Sequence, residues 1–560
     1  MKFQSSYLCD MTLTEQEINP WVVMAAFLAL VGPFALSFHM HYPDEMYYSD
    51  AALKMLQNGD YLTTYLGSGE LRFKKPILSY WAVLAGYKLF GVTPLASRFF
   101  FLMAGAATVG LTFAAAKVAL DNAKTAGLAA LIVASHPILI FSATRSIPDV
   151  LLAMTMTLAG LGFVGYLRFG NQTPKRYAWY LYLGLALAFE AKGLPAFALG
   201  GLGIAYLLFN PWNRVKWKAL IHWPSILLSI FVACFWFVAM YIIHGGTYID
   251  SFLHDQVGTR VGSRIGLILS NGTIALALMI VGFFPWFAFG FAKLKKIFQG
   301  LSTEEKALLG FVLVWVIGIL GMSALTSKFY ERYLLPVIPV AAIGLAWILA
   351  KNGFYERIKT IRWALGFFLA LNTIVILFGI YLNSQLSGPW LIWVQVGTAI
   401  LALGNLMRLF RKGAKLPKAL SYSFLLLFFS ASIATFQISL PDQGQQVKNF
   451  AKAGSLPSEG KIGFIGNLHV SSKIRIGLGT EYDFVDLPRF EFREVLPEYD
   501  RLILEDKYLD SIDASGYNQT LVSINWDSRH IPDLLLSVGT PAFDCLLQEH
   551  GKKYFLLEKK

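Results

Sequence analysis

Cysteine is scarce: three in 560 residues, Cys9, Cys234 and Cys545. They stand too far apart for a disulfide framework or for metal-ligand spacing. Charge is scarce too. Asp, Glu, Lys and Arg make up 15% of the chain, against 56% hydrophobic residues and a mean hydropathy of +0.53. That excludes an ordinary soluble composition. The stretch before Pro20 has only Lys2 against Asp10, Glu15 and Glu17, so it lacks the basic start of a secretory signal, and the first apolar run is expected to be a retained anchor. No self-similar repeat is visible, which argues against solenoids and gives no support to an inverted-repeat transporter.

What the chain does have is a series of apolar runs near the length that crosses ~30 Å of hydrocarbon. Thirteen spans are read, from Trp21–Phe38 to Ala419–Leu440, with Ala178–Phe189 the shortest. The formal charge of +13 would suggest nucleic acid in a soluble protein. Here the bases fall in alternate short loops, such as Arg214, Lys216 and Lys218, or Arg408, Arg411, Lys412, Lys415 and Lys418. That is the positive-inside pattern. It predicts a cytoplasmic N-terminus over 1–20, a transmembrane domain over 21–440 and a first outside loop over 39–98. Residues 441–560 are polar, with strand-like runs at Lys461–Ile465, Asp483–Val485, Arg501–Leu504, Thr520–Ile524 and Tyr554–Leu557. They predict a soluble α/β domain, also outside the membrane, and they carry no dinucleotide, P-loop or metal motif. An outside site has no nucleotide pool to draw on, so its substrate must arrive already activated on a lipid.

The outside loops gather acids and bases. Pro43-Asp44-Glu45 opens a helix-compatible segment that ends near Asn58-Gly59. On its own this reads as a capped helix start, with Asp44 as N-cap and Glu45 at the positive end of the dipole. The same place can also hold a carboxylate rigidly, to take a proton from an acceptor or to bind a divalent ion. Lys74-Lys75-Pro76 precedes an amphipathic piece whose bases suit lipid headgroups or a lipid-borne phosphate. Arg145 and Asp149 flank Ile147-Pro148. Glu190 and Lys192 form a charged pair between apolar runs, a placement that is costly without a partner or a polar cavity. Asp255, Arg260 and Arg264 occupy another outside loop, and Lys328, Glu331, Arg332 and Tyr333 follow the ninth span. Together they predict one polar site at the outer membrane surface that handles an anion.

These residues resemble a family. An Asp-Glu after span one, a helix ending in a Gly-Asp turn and a Lys-Pro-x-x-x-Tyr-Trp segment are similar to the GT-C membrane glycosyltransferases. The branch is that of the lipid A aminoarabinose transferases and protein O-mannosyltransferases. The resemblance continues through Arg145-Ser-Ile-Pro-Asp149, Lys192-Gly-Leu-Pro195, Phe284-Pro-Trp286 and Ser327-Lys328 to Arg332-Tyr333-Leu-Leu-Pro336. It implies a polytopic α-helical fold of about thirteen spans with an extracytoplasmic C-terminal domain. It also implies transfer of a sugar from an undecaprenyl (polyprenyl) phosphate donor to a lipid A-type glycolipid or another envelope acceptor, at the periplasmic face of the inner membrane. Asp44, Glu45 and Asp149 would be the catalytic carboxylates, with Asp44 the position for a divalent metal (Mg, Mn or Zn). Lys74, Lys75, Arg145, Lys192, Arg260, Lys328, Arg332 and Tyr333 would bind substrate. The alternatives are a lipid or polysaccharide transporter, and a protein O-mannosyltransferase using the same donor class. The aminoarabinose enzymes carry an acid where this chain has Lys74, which favours a neutral donor sugar.

Overall fold

In the computed structural model of the chain, the described residues are 18–35, 43–254, 265–290, 297–354, 358–386, 389–410, 416–438, 443–487, 499–512, 514–525, 533, 537 and 540–560. Most of each apolar run read from the sequence falls on helix among the described residues, and the run ends at 36–38, 291 and 439–440 lie outside them. Seven helices are long and apolar enough to cross a membrane, or eight when the bent pair Ala123–Ala134 and Pro137–Ala143 counts as one span; shorter apolar helices such as Leu194–Phe209 lie among them.

Local chemistry sets the ends of these helices. The helix α1 spans Pro20–Ala35 and α2 spans Pro43–Asn58; α3 is Leu78–Phe90 and α4 is Pro94–Leu120. Thr93 caps α4 by accepting a hydrogen bond from the Ala96 amide at 3.1 Å, with Pro94 as first helical residue. The chain then bends by 62° between α5 (Ala123–Ala134) and α6 (Pro137–Ala143), where Pro137 cannot donate to the preceding turn. One expected span needs correction. The run set at Ile274–Phe291 is helical over Ile265–Gly282 and stops before Pro285, with a separate short helix at Trp286–Gly290. Proline both lacks an amide hydrogen and disfavours helical geometry in the residue ahead of it.

Two antiparallel helices matter most for the site: α7 (Pro148–Phe169) and α8 (Lys175–Lys192). They pack with backbones almost touching. A Cβ on Gly162 would lie 2.5 Å from the Leu181 amide nitrogen, and one on Gly184 would lie 2.6 Å from that of Ala159. Small residues allow such approach between apolar helices. The tight link through Gly170–Gln172 makes the pair antiparallel, so the start of α7 and the end of α8 meet at the same level.

The C-terminal part forms a five-stranded sheet in the order β2-β1-β3-β5-β4. The strands are β1 (Lys461–Ile465), β2 (Asp483–Asp486), β3 (Arg501–Glu505), β4 (Tyr517–Asn525) and β5 (Lys552–Lys559). All five coincide with the runs expected from sequence. The β1–β2 and β1–β3 pairs are parallel, and β5 runs antiparallel to β3 and β4. The helix Leu468–Leu478 connects β1 to β2 and lies against α2 of the membrane part.

Candidate active site

Asp44 sits in the first turn of α2 and reaches across 288 positions to Arg332, whose Nη2 donates to Asp44 Oδ2 at 2.5 Å. Arg332 stands on the 3₁₀ turn Glu331–Val337. Its Nε lies 3.4 Å from Asp149 Oδ2, at the start of α7. The other oxygen of Asp149 accepts a hydrogen bond from Lys192 Nζ, at the end of α8. Lys192 Nζ in turn lies 4.3 Å from the centre of the Tyr333 ring. The meeting ends of α7 and α8 thus produce a continuous chain, Asp44–Arg332–Asp149–Lys192–Tyr333, assembled from four separate segments. Asp149, Lys192 and Arg332 are buried, whereas the Asp44 side chain is 45% exposed.

These residues line a cavity of about 590 Å³, within the usual range for small-ligand sites. Asp44, Lys74, Lys75, Asp149, Lys192, Arg332 and Tyr333, all expected from sequence, share its wall. Three expected residues do not. Glu45 is fully buried; both its oxygens accept from Arg98, at 2.5 and 3.0 Å, and Oε1 also takes the Ser146 amide at 3.1 Å. Adjacent helical positions point about 100° apart, so Asp44 and Glu45 cannot serve one site. Glu45 is a structural ion pair, not a cavity carboxylate. Arg145 lies near the cavity in sequence but is not part of its wall, and Lys328 is exposed outside it. Arg260 lies outside the described residues.

The cavity also holds residues that sequence reasoning missed. Tyr47, Tyr48, Asp50 and Arg72 come from the same first loop and helix. Phe464, Gly466, Leu468, Ser472, Asp486 and Leu487 come from the C-terminal domain. This second group lies at the carboxyl ends of the parallel strands β1 and β2 and on the helix between them, the place where open α/β sheets form ligand crevices. The only signal for it in the sequence is the β1–helix–β2 succession.

Arg475 joins the two parts of the chain. Its Nη1 donates to Asp50 Oδ2 at 2.5 Å, and its Nη2 to Asp486 Oδ2 and Ser471 Oγ, both at 2.7 Å. Ser472 Oγ adds a hydrogen bond to Asp50 Oδ2 at 2.6 Å. Burial works against the Arg475 charge, but the Asp50 and Asp486 carboxylates outweigh it and hold its pKa above the usual arginine value. Gly67 leaves the room that Arg475 fills: a Cβ there would lie 1.7 Å from Nη1. The seam is therefore a charged, tightly packed contact between α2 and the C-terminal helix.

Among the described residues no ready-made divalent-ion site is formed: no three His, Cys, Asp or Glu side chains converge, and Asp44 already gives Oδ2 to Arg332. No step is derived through a metal.

Comparison with known proteins agrees with this architecture. Residues 21–249 match the family model described as dolichyl-phosphate-mannose-protein mannosyltransferase. An uncharacterized protein of Aquifex aeolicus is 31% identical over 325 residues, 57% of this chain and 61% of that one. The undecaprenyl phosphate-alpha-4-amino-4-deoxy-L-arabinose arabinosyl transferase of Serratia proteamaculans is 30% identical over 224 residues, 39% of this chain and 40% of that one. The chain thus spans between 40% and 61% of the lengths of these two curated relatives. The crystal structure of ArnT from Cupriavidus metallidurans bound to undecaprenyl phosphate superposes with a TM-score of 0.68 at 18% identity, covering 90% of this chain and 96% of that one. Its apo state gives the same score over 96% and 97%. By sequence over its first part this chain is similar to the aminoarabinose and mannosyl transferases, and over nearly all of it the chain has the fold of a multi-pass membrane protein seen in ArnT.

Proposed function

We propose that the protein is a membrane glycosyltransferase that moves a sugar from an undecaprenyl (polyprenyl) phosphate to an envelope acceptor on the periplasmic face of the inner membrane. The observation that carries this reading is the Asp44–Arg332–Asp149–Lys192 chain along one cavity wall. It pairs a half-exposed carboxylate with buried cations. The likeness to transferases named for undecaprenyl phosphate-linked donors supports the donor class.

The balance of the reaction is simple. The acceptor O–H gives its proton to the Asp44 carboxylate, and its oxygen bonds to the anomeric carbon. The bond from that carbon to the phosphate oxygen breaks, and the electron pair stays on the lipid phosphate. Lys75, Lys192 and Arg332 would stabilise that departing anion, as fixed cations do best in a water-poor site. Asp149 holds Lys192 and Arg332 in register for the task. An acceptor that is itself a phosphate would need mostly positioning. Lys74 in the wall disfavours a cationic amino sugar, so the donor sugar is a neutral hexose or pentose.

The acceptor proposed is a lipid A-type glycolipid. The mannosyltransferase family match over 21–249 favours a protein hydroxyl as the second reading. The test uses the purified full chain with undecaprenyl phosphate hexoses, scoring release of undecaprenyl phosphate. Release that requires an acceptor extract supports the reading. Movement of the intact lipid across a bilayer without cleavage would replace it with a transporter. Mass spectrometry of envelope glycolipids and glycoproteins, with and without the protein, then separates the two acceptors.

A further inference from the structure

Four arginines are buried among the described residues: Arg72, Arg98, Arg332 and Arg475. Three of them face carboxylates: Arg98 faces Glu45, Arg332 faces Asp44 and Asp149, and Arg475 faces Asp50 and Asp486. Arg72 does not. It is 8% exposed, lines the cavity, and has no described carboxylate within the 4.0 Å of an ion pair.

Its side chain is nonetheless held firmly. Nε donates to Tyr80 Oη at 3.1 Å, and the guanidinium lies 4.3 Å over the Tyr47 ring and 5.8 Å from that of Tyr48. The Tyr48 and Tyr80 rings pack 4.9 Å apart. The backbone is fixed as well, since the Arg72 amide donates to the Thr64 carbonyl at 2.8 Å and its carbonyl accepts from Thr64 Oγ1 at 2.5 Å. Of the five guanidinium N–H groups, the protein takes up the one on Nε. Neither terminal nitrogen donates to a described residue, and neither is among the sealed-off polar atoms. The faces of the group are stacked, one edge is bonded, and its terminal fork is open to the cavity.

A buried cation with no ion pair in contact is costly, and a rigid planar fork matches phosphate in a two-pronged contact. We propose that Arg72 binds a phosphoryl group of the substrate through its terminal nitrogens. The tyrosine cage acts as the positioning element that aims the fork. This rests on the glycosyl-phosphate reading above. The phosphate can belong to the lipid donor or to a phosphorylated acceptor, and the experiment separates the two.

Undecaprenyl phosphate, undecaprenol and a soluble phosphomonoester (glucose 1-phosphate) are titrated into the detergent-solubilised full chain, as wild type, Arg72→Lys and Arg72→Met. The phosphomonoester is measured with undecaprenyl phosphate already bound. The wild type is expected to prefer undecaprenyl phosphate over undecaprenol. Arg72→Met should lose that preference by about tenfold or more, with Arg72→Lys between the two because it keeps the charge but not the fork. Loss confined to the lipid phosphate assigns the fork to the donor, and loss confined to the phosphomonoester assigns it to the acceptor. Equal affinities in wild type and Arg72→Met for both phosphates overturn the proposal while leaving glycosyl transfer standing. A wild type that binds neither phosphate overturns both. Should the variants unfold, mass spectrometry of wild-type protein treated with phenylglyoxal reads the same point: bound phosphate must shield Arg72, and unshielded modification overturns the proposal.

Discussion

Arg332 Nη2 and Asp44 Oδ2 meet at 2.5 Å although 288 residues separate them in the chain. The pair fixes the start of α2 against the turn that carries Tyr333. It also leaves the second oxygen of a half-exposed carboxylate to serve the proposed acceptor. Asp44→Asn keeps the shape but removes the base. Turnover of undecaprenyl phosphate hexose should fall by on the order of 10² to 10⁴, while the affinity for undecaprenyl phosphate changes little. A variant that turns over at the wild-type rate would exclude Asp44 as the base.

Lys192 divides its charge between the Asp149 carboxylate and the face of Tyr333. Lys192→Ala should weaken undecaprenyl phosphate binding by about tenfold, the scale of one charge-assisted contact. Equilibrium titration of the lipid into purified protein measures this. Unchanged affinity would restrict the lysine to holding α7 and α8 together.

Glu45 is one residue from Asp44 and should behave in the opposite way. Removing one partner of a buried, doubly bonded ion pair costs about 3–5 kcal/mol. Glu45→Gln is therefore expected to lower the unfolding temperature in detergent and the yield of inserted protein. The fraction that remains folded should retain turnover. Full stability with lost turnover would return Glu45 to the chemistry.

Gly67→Ala tests the seam without replacing any charged residue. The new methyl would lie 1.7 Å from Arg475 Nη1 and 2.5 Å from Asp50 Oδ2, so the contact must part or the loop must move. Overpacking of this kind costs about 1–3 kcal/mol. Protease cleavage between the membrane part and residues 443–560 should speed up, and turnover should drop with it. Wild-type protease resistance with wild-type turnover would show that the seam tolerates displacement.

Much of this was legible in the sequence because it is written in local patterns. Apolar runs, basic loops and the five strands of the C-terminal sheet each depend on neighbouring residues. So does the grouping of Asp44, Lys75, Asp149, Lys192 and Tyr333, once the loops are assigned to one side. Pairings across long stretches were not legible. Arg475 reads as an ordinary helical base, and nothing near it shows that Asp50, 425 residues earlier, is its partner. Arg72 was hidden for another reason. It stands two residues before a more conspicuous lysine pair, and its lack of a contacting carboxylate becomes visible only when every neighbour has a position. Glu45 was misjudged because sequence adjacency implies a shared role, whereas a helix turns adjacent side chains in different directions.

The seam between Asp50 and Arg475 has a consequence for biogenesis. Ribosomes deliver the Asp44 helix early and Asp486 only after most of the chain has been made and inserted. One wall of the cavity is therefore missing until the last sheet has formed. Nascent or prematurely terminated chains would display the cationic half of the site without its opposite wall, and so would hold no enclosed chamber for chemistry during their own synthesis.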